Sequence, residues 1–304
     1  MPAPVIVAHG LRKAYGSQVA VKDIDFEVQP GEIFGFLGTN GAGKTTTIEI
    51  LEGYRSRTAG DVSVLGVDPA HATRAWRERI GLVLQESELD PLYTVRETVA
   101  IFACYYARPR AVDETIELAG LRDKRDARIG SLSGGQKRRV DVALGLIGDP
   151  DLLFLDEPTT GFDPQARREA WTMLEGLRNL GKTVFLTTHY MDEAQHLADR
   201  LTILRAGEIV AAGTPAQLSA QSGGTIIRFT LPDGVSVDQV ERAAGIHPSM
   251  SGAEVSLRCD GSPQHVLYQL TGWAEGAHLV LENLEVSRPT LDDVFLELTQ
   301  ATTP

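Results

Sequence analysis

Residues 38–46, with the sequence GTNGAGKTT, combine three glycines with a lysine and hydroxyl side chains. Glycine allows consecutive backbone N–H groups to turn toward one point, and a helix that starts near Gly43 would add the positive end of its dipole. The loop therefore predicts a phosphate-binding site, in which Lys44 reaches the β- and γ-phosphates of a nucleotide and the Thr45 hydroxyl binds Mg²⁺. The candidate phosphate-binding residues are Gly38, Thr39, Asn40, Gly41, Ala42, Gly43, Lys44, Thr45 and Thr46.

A pair of acidic residues, Asp156 and Glu157, directly follows the apolar run at 152–155. A buried strand that ends in two carboxylates places them where doubly wound sheets bind ligands. Asp156 suits a metal ion, bound directly or through water, and Glu157 suits the orientation of an attacking water molecule. Two adjacent acids can also simply cap the next turn, but beside a phosphate loop we favour the catalytic interpretation.

A second glycine-containing motif, LSGGQ at residues 132–136, precedes a helix that we expect to begin near residue 136 or 137. Ser133, Gly135 and the helix N-terminus would form another anion cradle. The alternative is an ordinary helix N-cap. One nucleotide does not need two cradles unless two chains share it. The residues of this motif are Leu132, Ser133, Gly134, Gly135 and Gln136.

These motifs lie at the ends of strand-like stretches or the starts of helix-like stretches, which alternate through about residue 218. Short, continuous apolar runs suit strands that are covered on both faces, as in a parallel sheet flanked by helices. The expected fold class is therefore α/β, with a helical insertion at about residues 86–139. Asp163 and Pro164 predict the start of a helix that continues through Leu180. The predicted core strands are 33–37, 80–84, 152–155, 184–187 and 201–204.

The character of the sequence changes after residue 218. Small polar residues at 219–224 predict a linker, and residues 225–304 predict a small α+β accessory domain. Its expected order is β-α-β-β-α-β with a trailing helix, which is the split βαβ or ferredoxin-like arrangement. The first domain would then occupy residues 1–218. The predicted elements of the accessory domain are strands at 225–231, 246–249, 253–258 and 277–287 and helices at 236–244, 262–271 and 290–299.

The composition is that of an ordinary folded protein, with 304 residues, 42% hydrophobic and 23% charged. A formal net charge of −12 argues against nucleic-acid binding as the main activity. Cys104 and Cys259 are too few for a disulfide framework, and we assign them no role. Because we find neither a signal peptide nor a membrane-spanning stretch, we expect a cytoplasmic protein. The basic cluster 137–139 predicts a solvated helix face, with attraction to acidic lipid or a partner as the alternative.

In order and spacing, these motifs resemble those of the ATP-binding subunits of ABC transporters over roughly residues 5–218. The resemblance implies a P-loop NTPase fold of the ABC type that hydrolyses ATP with Mg²⁺, with Asp156 on the metal side and Glu157 as the catalytic base. It also implies a head-to-tail homodimer, in which the signature at 132–136 of each chain faces the ATP held by Lys44 of the other. The implied partner is a separately encoded integral membrane permease, which would keep the chain at the inner face of the membrane.

Four single residues take roles only through this resemblance. Tyr15 resembles the aromatic residue that stacks on adenine, and Gln85 resembles the glutamine that contacts Mg²⁺ and links to the transporter. Asp163 resembles the loop aspartate at the dimer seam, and His189 resembles the residue that senses the γ-phosphate. Taken alone, Tyr15 would more simply be a packed surface aromatic, Gln85 a polar cap at a strand end and His189 a satisfied histidine after a buried strand. Phe162 stands where the family often has leucine, which we interpret as a mild change.

The segment 86–97 enters the helical insertion directly after the predicted metal-contacting glutamine. Leu89, Leu92, Tyr93 and Val95 are apolar residues in a stretch that otherwise looks like a loop. Our hypothesis is that this surface forms a groove for a cytoplasmic helix of the permease. The alternative is a loop that folds back onto the insertion.

A finer resemblance involves residues 187–194 (TTHYMDEA) and 288–299 (RPTLDDVFLELT). Both are similar to the ATPases of bacterial type-2 ABC exporters of the daunorubicin-resistance type, which implies export of a drug-like or hydrophobic compound. The alternatives are a lipid or polysaccharide exporter, an importer, or a soluble ABC ATPase that acts on DNA or ribosomes. A single phosphate loop and the absence of long heptads disfavour the last. The cargo stays open, because an ATPase subunit need never touch it.

Overall fold

The computed structural model describes residues 2–84, 88–221, 223–232 and 234–300, and for residues 221 and 296–300 it describes the backbone only. The chain divides into two compact units, Met1–Pro215 and Ala216–Pro304. The strands of the first unit are β1 (Ile6–Tyr15), β2 (Gln18–Val28), β3 (Ile33–Gly38), β4 (Ala59–Val64), β5 (Ile80–Val83), β6 (Leu152–Asp156), β7 (Thr183–Thr188), β8 (Arg200–Arg205) and β9 (Glu208–Gly213).

The central sheet of the first unit has the strand order β5-β6-β7-β3-β8-β9 in the described part of the chain. Its strands run parallel except β9, which pairs with β8 in antiparallel fashion. Every residue of β3, β6 and β7 is buried, as expected for a parallel sheet covered on both faces. The runs predicted as core strands all fall in this sheet, so the α/β fold class is confirmed.

A smaller antiparallel sheet of order β2-β1-β4 lies beside this core. The sequence analysis did not identify it, although residues 24–28 of β2 alternate buried and exposed side chains as a half-buried strand does. The register of β1 also shifts at several points along both partner strands. Such irregularities interrupt the simple alternation that marks a strand in a sequence.

The helices of the first unit alternate with its strands from β3 to β8, apart from three consecutive helices between β5 and β6. They are α1 (Lys44–Leu51), α2 (Arg74–Arg77), α3 (Val95–Ala103), α4 (Val112–Leu118), α5 (Gly134–Leu146), α6 (Pro164–Asn179) and α7 (Met191–Leu197). Helix α5 begins at Gly134, earlier than expected, because Ser133 acts as its N-cap. Helix α6 begins after Asp163 as predicted. Throughout the described ranges, no helix is long and apolar enough to cross a membrane.

Five phenylalanines fix the central sheet. Phe34 and Phe36 on β3, Phe154 on β6, Phe185 on β7 and Phe26 on β2 form ring pairs whose centroids lie 5.4 to 6.1 Å apart. Aromatic pairs contribute roughly 0.5–1.5 kcal/mol each beyond the burial of their area. Because β3, β6 and β7 each contribute to this cluster, the ends of these strands are held at fixed positions relative to one another.

The second unit is a small α+β domain. It contains β10 (Thr225–Thr230), β11 (Ser249–Ser251), β12 (Glu254–Cys259) and β13 (Glu285–Ser287), with helices α8 (Pro215–Gln221), α9 (Val237–Ala244), α10 (Pro263–Gly276) and α11 (Leu291–Gln300). The sheet order is β11-β12-β10-β13, with antiparallel neighbours throughout. This order is the split βαβ arrangement that the sequence predicts.

Three expectations for this unit are wrong in detail. The strand predicted near residues 246–249 lies at Ser249–Ser251. The stretch 219–224, predicted as a linker, begins inside helix α8, because Pro215 starts a helix that continues to Gln221. The strand predicted at 277–287 is confined to Glu285–Ser287, since residues 277–278 and 282–283 form turns and the apolar residues 279–281 between them are in no regular element. Nη2 of Arg228 on β10 donates to both carboxylate oxygens of Asp293 of α11, at 2.5 and 2.6 Å, which attaches the last helix to the sheet.

We predict that a chain ending at Gln221 folds and binds ATP, because every nucleotide motif lies in the first unit. Circular dichroism and titration with a fluorescent ATP analogue are the measurements, and we expect an affinity within a few-fold of the full chain. As a control, a chain ending at Leu180 removes β7, β8 and β9 from the central sheet and should not fold. An unfolded 1–221 chain would show that the second unit is part of the main core.

Candidate functional site

The phosphate loop lies between β3 and α1 and depends on two glycines. Gly43 caps α1 with φ +108°, a left-handed conformation that a side chain would strain. A Cβ atom at Gly43 would lie 2.6 Å from the carbonyl oxygen of Ala20, and one at Gly38 would lie 2.6 Å from that of Leu204. The loop therefore has its shape only with glycine at both positions, and α1 presents its N-terminus to the loop.

The ammonium group of Lys44 lies at the centre of the loop and is only 5% exposed. Its Nζ donates to the carbonyl oxygens of Gly38 at 2.7 Å and Thr39 at 3.3 Å. The same Nζ lies 3.2 Å from Oε1 of Glu157, in a buried ion pair. A lysine carries three N–H donors. Lys44 thus connects the phosphate loop directly to the end of β6.

The buried carboxyl group of Asp156 ends β6. Burial raises the pKa of this carboxyl group, as does the nearby charge of Glu157. A hydrogen bond from the Thr187 hydroxyl to Oδ1 and the positive charge of Lys44 oppose that shift. Asp156 is the register partner of Thr187 across β6 and β7, which explains why the two side chains meet.

The next residue, Glu157, has φ +46°, a conformation that costs roughly 1–3 kcal/mol outside glycine. Its backbone N–H compensates by donating to both the hydroxyl and the carbonyl oxygen of Thr187, each at 3.1 Å. The turn aims the carboxylate away from the sheet. There Oε2 lies 3.0 Å from Nδ1 of His189 and accepts a hydrogen bond from the Thr160 hydroxyl at 3.2 Å.

A cavity of about 520 Å³ brings these groups together, within the size range of small-molecule sites. The phosphate loop forms one side of it, and the ends of β6 and β7 form the other. Its lining residues are Ala20, Asn40, Gly41, Gly43, Lys44, Thr45, Thr46, Glu157, Thr160 and His189. The structure therefore places most of the predicted phosphate-binding residues and both predicted catalytic residues around one space.

Tyr15 ends β1 and does not line this cavity. Its ring is 42% exposed. Lys13 Nζ and the guanidinium carbon of Arg55 lie 5.0 and 5.5 Å from the ring centroid, which is within cation–π distance. The ring is therefore held by two cations while part of its surface faces solvent, and its contact with adenine stays a prediction.

The signature motif forms the start of α5. Ser133 Oγ accepts from the Gln136 N–H at 3.3 Å, and Gln136 Oε1 accepts from the Ser133 N–H at 3.1 Å, so the two residues make a capping box. Leu132 is buried in the apolar core of the helical insertion. A second cavity, of about 840 Å³, is lined by Ser133, Gly134 and Gly135. Ser133 lines this second cavity and not the one at the phosphate loop.

The two cavities share Glu157 and Thr160, and the loop aspartate Asp163 lines the second one. Asp163 is the N-cap of α6, since its Oδ1 accepts from the backbone N–H groups of Gln165 and Ala166 at 2.9 Å each. Its place at a dimer seam stays a prediction. Gln85, the remaining predicted site residue, lies outside the described residues.

The interpretation of residues 137–139 as a solvated basic face is wrong for Arg138, which is only 9% exposed. Its guanidinium donates to the carbonyl oxygens of Leu84, of Asp156 at 2.9 Å and of Pro158 at 3.1 Å. It also lies 3.7 Å from the Asp141 carboxylate. Arg138 thus joins the signature helix to the ends of β5 and β6, because a guanidinium offers five donors in a fixed plane.

Sequence reasoning also missed Thr160 and Thr187, which hold Glu157 and Asp156 in place. The Thr187 hydroxyl had a detectable signal, because it lies one strand away from the acidic pair at the same sheet edge. Arg138 had none, since three adjacent basic residues at a helix start look alike in a sequence.

The donors at the site are hard oxygen atoms, the kind that Mg²⁺ prefers. Asp156 uses Oδ1 for Thr187 and retains Oδ2, and the Thr45 hydroxyl is exposed at the mouth of the loop. No group of three or more His, Cys, Asp or Glu residues that could hold a metal by itself exists among the described residues. The donor set therefore fits Mg²⁺ that keeps waters and shares phosphate oxygens of a nucleotide.

The fold and the site define a P-loop nucleotide-binding protein, and comparison with known families agrees. The family model "ABC transporter" matches residues 21–160. A second model, "ABC transporter domain-containing protein-like, C-terminal domain", matches residues 225–290. Two relatives are both named "Nod factor export ATP-binding protein I". The one from Burkholderia pseudomallei (strain 1710b) is 41% identical and covers 95% of either chain, and the one from Rhizobium johnstonii is 40% identical and covers 95% of this chain and 93% of that one. The chain belongs to the ABC transporter family of ATP-binding subunits and is an ATPase of that family.

Solved structures agree with this assignment. The chain is similar to cbiO1 from Clostridium perfringens, part of the cbiONQ ABC transporter complex, with 26% identity and a TM-score of 0.66 over 73% of this chain and 92% of that one. It is also similar to the ATP-binding cassette MJ0796, a dimer bound to ADP and Pi. That match has 25% identity and a TM-score of 0.61 over 69% of this chain and 98% of that one.

We predict that Arg138→Gln lowers the stability of the first unit, because it leaves buried carbonyl oxygens and Asp141 without their cation. Unsatisfied buried groups cost roughly 1–3 kcal/mol each. We expect the thermal midpoint to fall by about 5–10 °C for a unit of this size. Lys137→Gln, which removes an exposed charge from the neighbouring position, is the matched control and should shift it by less than about 2 °C. Equal midpoints for the two variants would contradict the assigned role of Arg138.

Proposed function

We propose that the chain hydrolyses ATP to drive export through a separately encoded membrane permease. The observation that carries the ATPase part is the convergence of Lys44, Glu157 and His189 on one cavity beside the phosphate loop. The export part is supported by relatives that are 39–41% identical and are named for export. Through the permease, the chain would lie at the inner face of the membrane.

For the chemical step, we propose that Glu157 is the base that orients the attacking water and that His189 contacts the γ-phosphate. The positive φ at Glu157 supports this role, because the turn aims the carboxylate at the loop instead of at the sheet. Lys44 would bind the β- and γ-phosphates, while Thr45, Asp156 and Gln85 would hold Mg²⁺. When bound, the cation supplies charge that neutralises the transferring phosphoryl group.

We propose further that two chains pair head to tail, with Ser133 and Gly135 of one over the ATP of the other. The position of Ser133 supports this arrangement, since it caps a 13-residue helix and lines a cavity other than the one beside Lys44. A helix N-terminus favours an anion. The dimeric structure of MJ0796 gives a precedent for pairing in this family. Tyr15 would complete the site by stacking on adenine.

The permease would dock on the helical insertion. Two backbone hydrogen bonds attach the segment before α3 to the insertion, from Ile129 N–H to the Tyr93 oxygen at 2.9 Å and from Gly130 N–H to the Pro91 oxygen at 3.0 Å. Val95 packs inward, whereas Leu92 is 71% exposed and Tyr93 is 45% exposed. The two backbone hydrogen bonds and the buried Val95 fit the alternative of a loop folded onto the insertion, whereas the exposed Leu92 and Tyr93 fit a docking surface.

The same insertion exposes Ile101 and Phe102 on α3 and Tyr105 shortly after it, which adds apolar surface to the insertion. Large exposed apolar groups in one region are typical of a protein interface. We therefore propose that a cytoplasmic helix of the permease packs on this surface.

For the cargo, we propose a drug-like or hydrophobic compound, on the basis of the resemblance of residues 187–194 and 288–299 to daunorubicin-type exporters. The relatives are named for Nod factor export. Their names agree with the proposed direction of transport, but Nod factor is a different cargo from the one proposed here. Transport assays with daunorubicin and with Nod factor in the same membrane vesicles distinguish the two.

We predict that Glu157→Gln retains ATP binding and lowers turnover by roughly 10²- to 10⁴-fold, the contribution of a positioned base. The phosphate loop stays intact, so the variant should also accumulate as a nucleotide-bound dimer. Phosphate release and size-exclusion chromatography with ATP are the measurements. Lys44→Ala provides the contrast, because it should lose ATP binding itself. Near-normal phosphate release by the Glu157→Gln protein would remove Glu157 from this role.

We predict that Leu92→Asp and Tyr93→Asp abolish co-purification with the permease and transport, while the ATPase rate of the isolated chain stays within about twofold. A buried charge at an apolar interface is costly, whereas an exposed one is tolerated. Leu180→Asp, which changes a similarly exposed apolar residue after α6, is the matched control and should leave transport intact. If both variants still bind the permease and support export, the docking surface lies elsewhere.

A further inference from the structure

A cationic side chain of α6 lies against the segment that carries His189. The guanidinium carbon of Arg167 is 4.1 Å from the ring centroid of Tyr190, which is close for a cation–π contact. Its Nη1 also donates to Oδ2 of Asp192 at 3.2 Å. Arg167 lies one helical turn after the N-cap Asp163, so it connects the first turn of α6 to the residues that follow β7.

The ring of Tyr190 continues this series of contacts toward the candidate site. It packs on the imidazole of His189 with the ring centroids 4.1 Å apart and the planes inclined by 38°. Nδ1 of His189 lies 3.0 Å from Oε2 of Glu157. A continuous line of contacts therefore runs from Arg167 through Tyr190 and His189 to Glu157.

The surroundings of Arg167 are polar. Glu193 on α7 is fully buried, and its Oε1 accepts from the Thr159 hydroxyl at 2.8 Å. The side chains of Thr188 and Trp171 also interact with the Glu193 carboxyl group. Nε of Arg167 is buried without a hydrogen-bond partner among the described residues. Burial raises the pKa of Glu193, and the charge of Arg167 is among the influences that oppose this shift.

The cluster holds Arg167 beside a buried carboxyl group, and a buried polar atom without a partner, such as Nε of Arg167, is costly. The cluster also lies between two parts of the site, since Thr159 directly precedes Thr160 and α7 follows His189 in the chain.

We propose that Arg167 is a positioning residue for ATP hydrolysis, which holds Tyr190 and, through it, the imidazole of His189 against Glu157. The inference rests on the proposed roles of His189 and Glu157. Because Arg167 and Asp163 share one turn of α6, any shift of that turn on pairing of two chains would reach His189 through the same contacts. Arg167 itself touches neither nucleotide nor water in this scheme.

The test uses the full chain and measures kcat and KM for ATP. Arg167→Gln and Tyr190→Leu should each lower kcat about tenfold, because the free energy of a partly buried cation–π contact corresponds to roughly that factor in rate. KM should change by less than about twofold, since the phosphate loop is untouched. Tyr190→Phe keeps the ring and should restore most of the rate. Thermal midpoints of all variants exclude loss of fold as the cause.

The double variant Arg167→Gln/Tyr190→Leu decides whether the two residues act together. A single line of contacts predicts a kcat close to that of the slower single variant, whereas independent roles predict a loss of about a hundredfold. Arg168→Gln removes an exposed charge from the next position of α6 and is the matched control. Independent effects, or equal losses for Tyr190→Phe and Tyr190→Leu, would overturn the inference.

Two further variants separate the inference from its alternatives. Asp192→Asn removes the ion pair and keeps the stack, so a loss as large as that of Arg167→Gln would assign the effect to the ion pair and overturn the proposal. Glu157→Gln is measured in parallel. If it retains a normal rate, the proposed function fails. If it is inactive while Arg167→Gln and Arg168→Gln both keep the full rate, only the positioning role fails.

Discussion

The backbone turn at Glu157 is the constraint on which the geometry of the site depends. A left-handed conformation is unfavourable for glutamate, and its N–H is held by two oxygen atoms of Thr187 on the neighbouring strand. Without this turn the carboxylate would continue the alternation of β6 and face the core. With the turn, it reaches Lys44 on one side and His189 on the other.

The turn can hold only because the sheet order is fixed. Strand β7 lies between β6 and β3, so the acidic edge, the histidine and the phosphate loop all leave the sheet at the same end. Because neighbouring strands run parallel, their carboxyl ends lie at the same edge of the sheet once the strand order is set. The phenylalanine cluster on these three strands sets their spacing from inside the core. Packing in the core thus determines distances among charged groups that lie outside it.

Much of this could be predicted from the sequence, because the decisive signals are local. The phosphate loop, the acidic pair and the N-cap Asp163 each occupy a few consecutive residues whose chemistry specifies a conformation. The contacts of Arg138 and the pairing of β1 with β4 join residues that are far apart in the sequence, and no short pattern encodes them, whereas the β1–β2 hairpin is local. Burial alone distinguishes Arg138 from the exposed Lys137 beside it.

The two helices that border the site are attached to it in different ways. Arg138 attaches α5 to backbone carbonyls at the ends of β5 and β6, which are fixed points of the sheet. Arg167 attaches α6 to an aromatic ring and an exposed carboxylate, which are side chains with rotamer freedom. The first connection is rigid and the second is adjustable. On the proposed role of Arg167, helix α6 is the element through which a change outside the sheet reaches His189, and the ion pair of Arg139 with Glu169 also connects α6 to the signature helix.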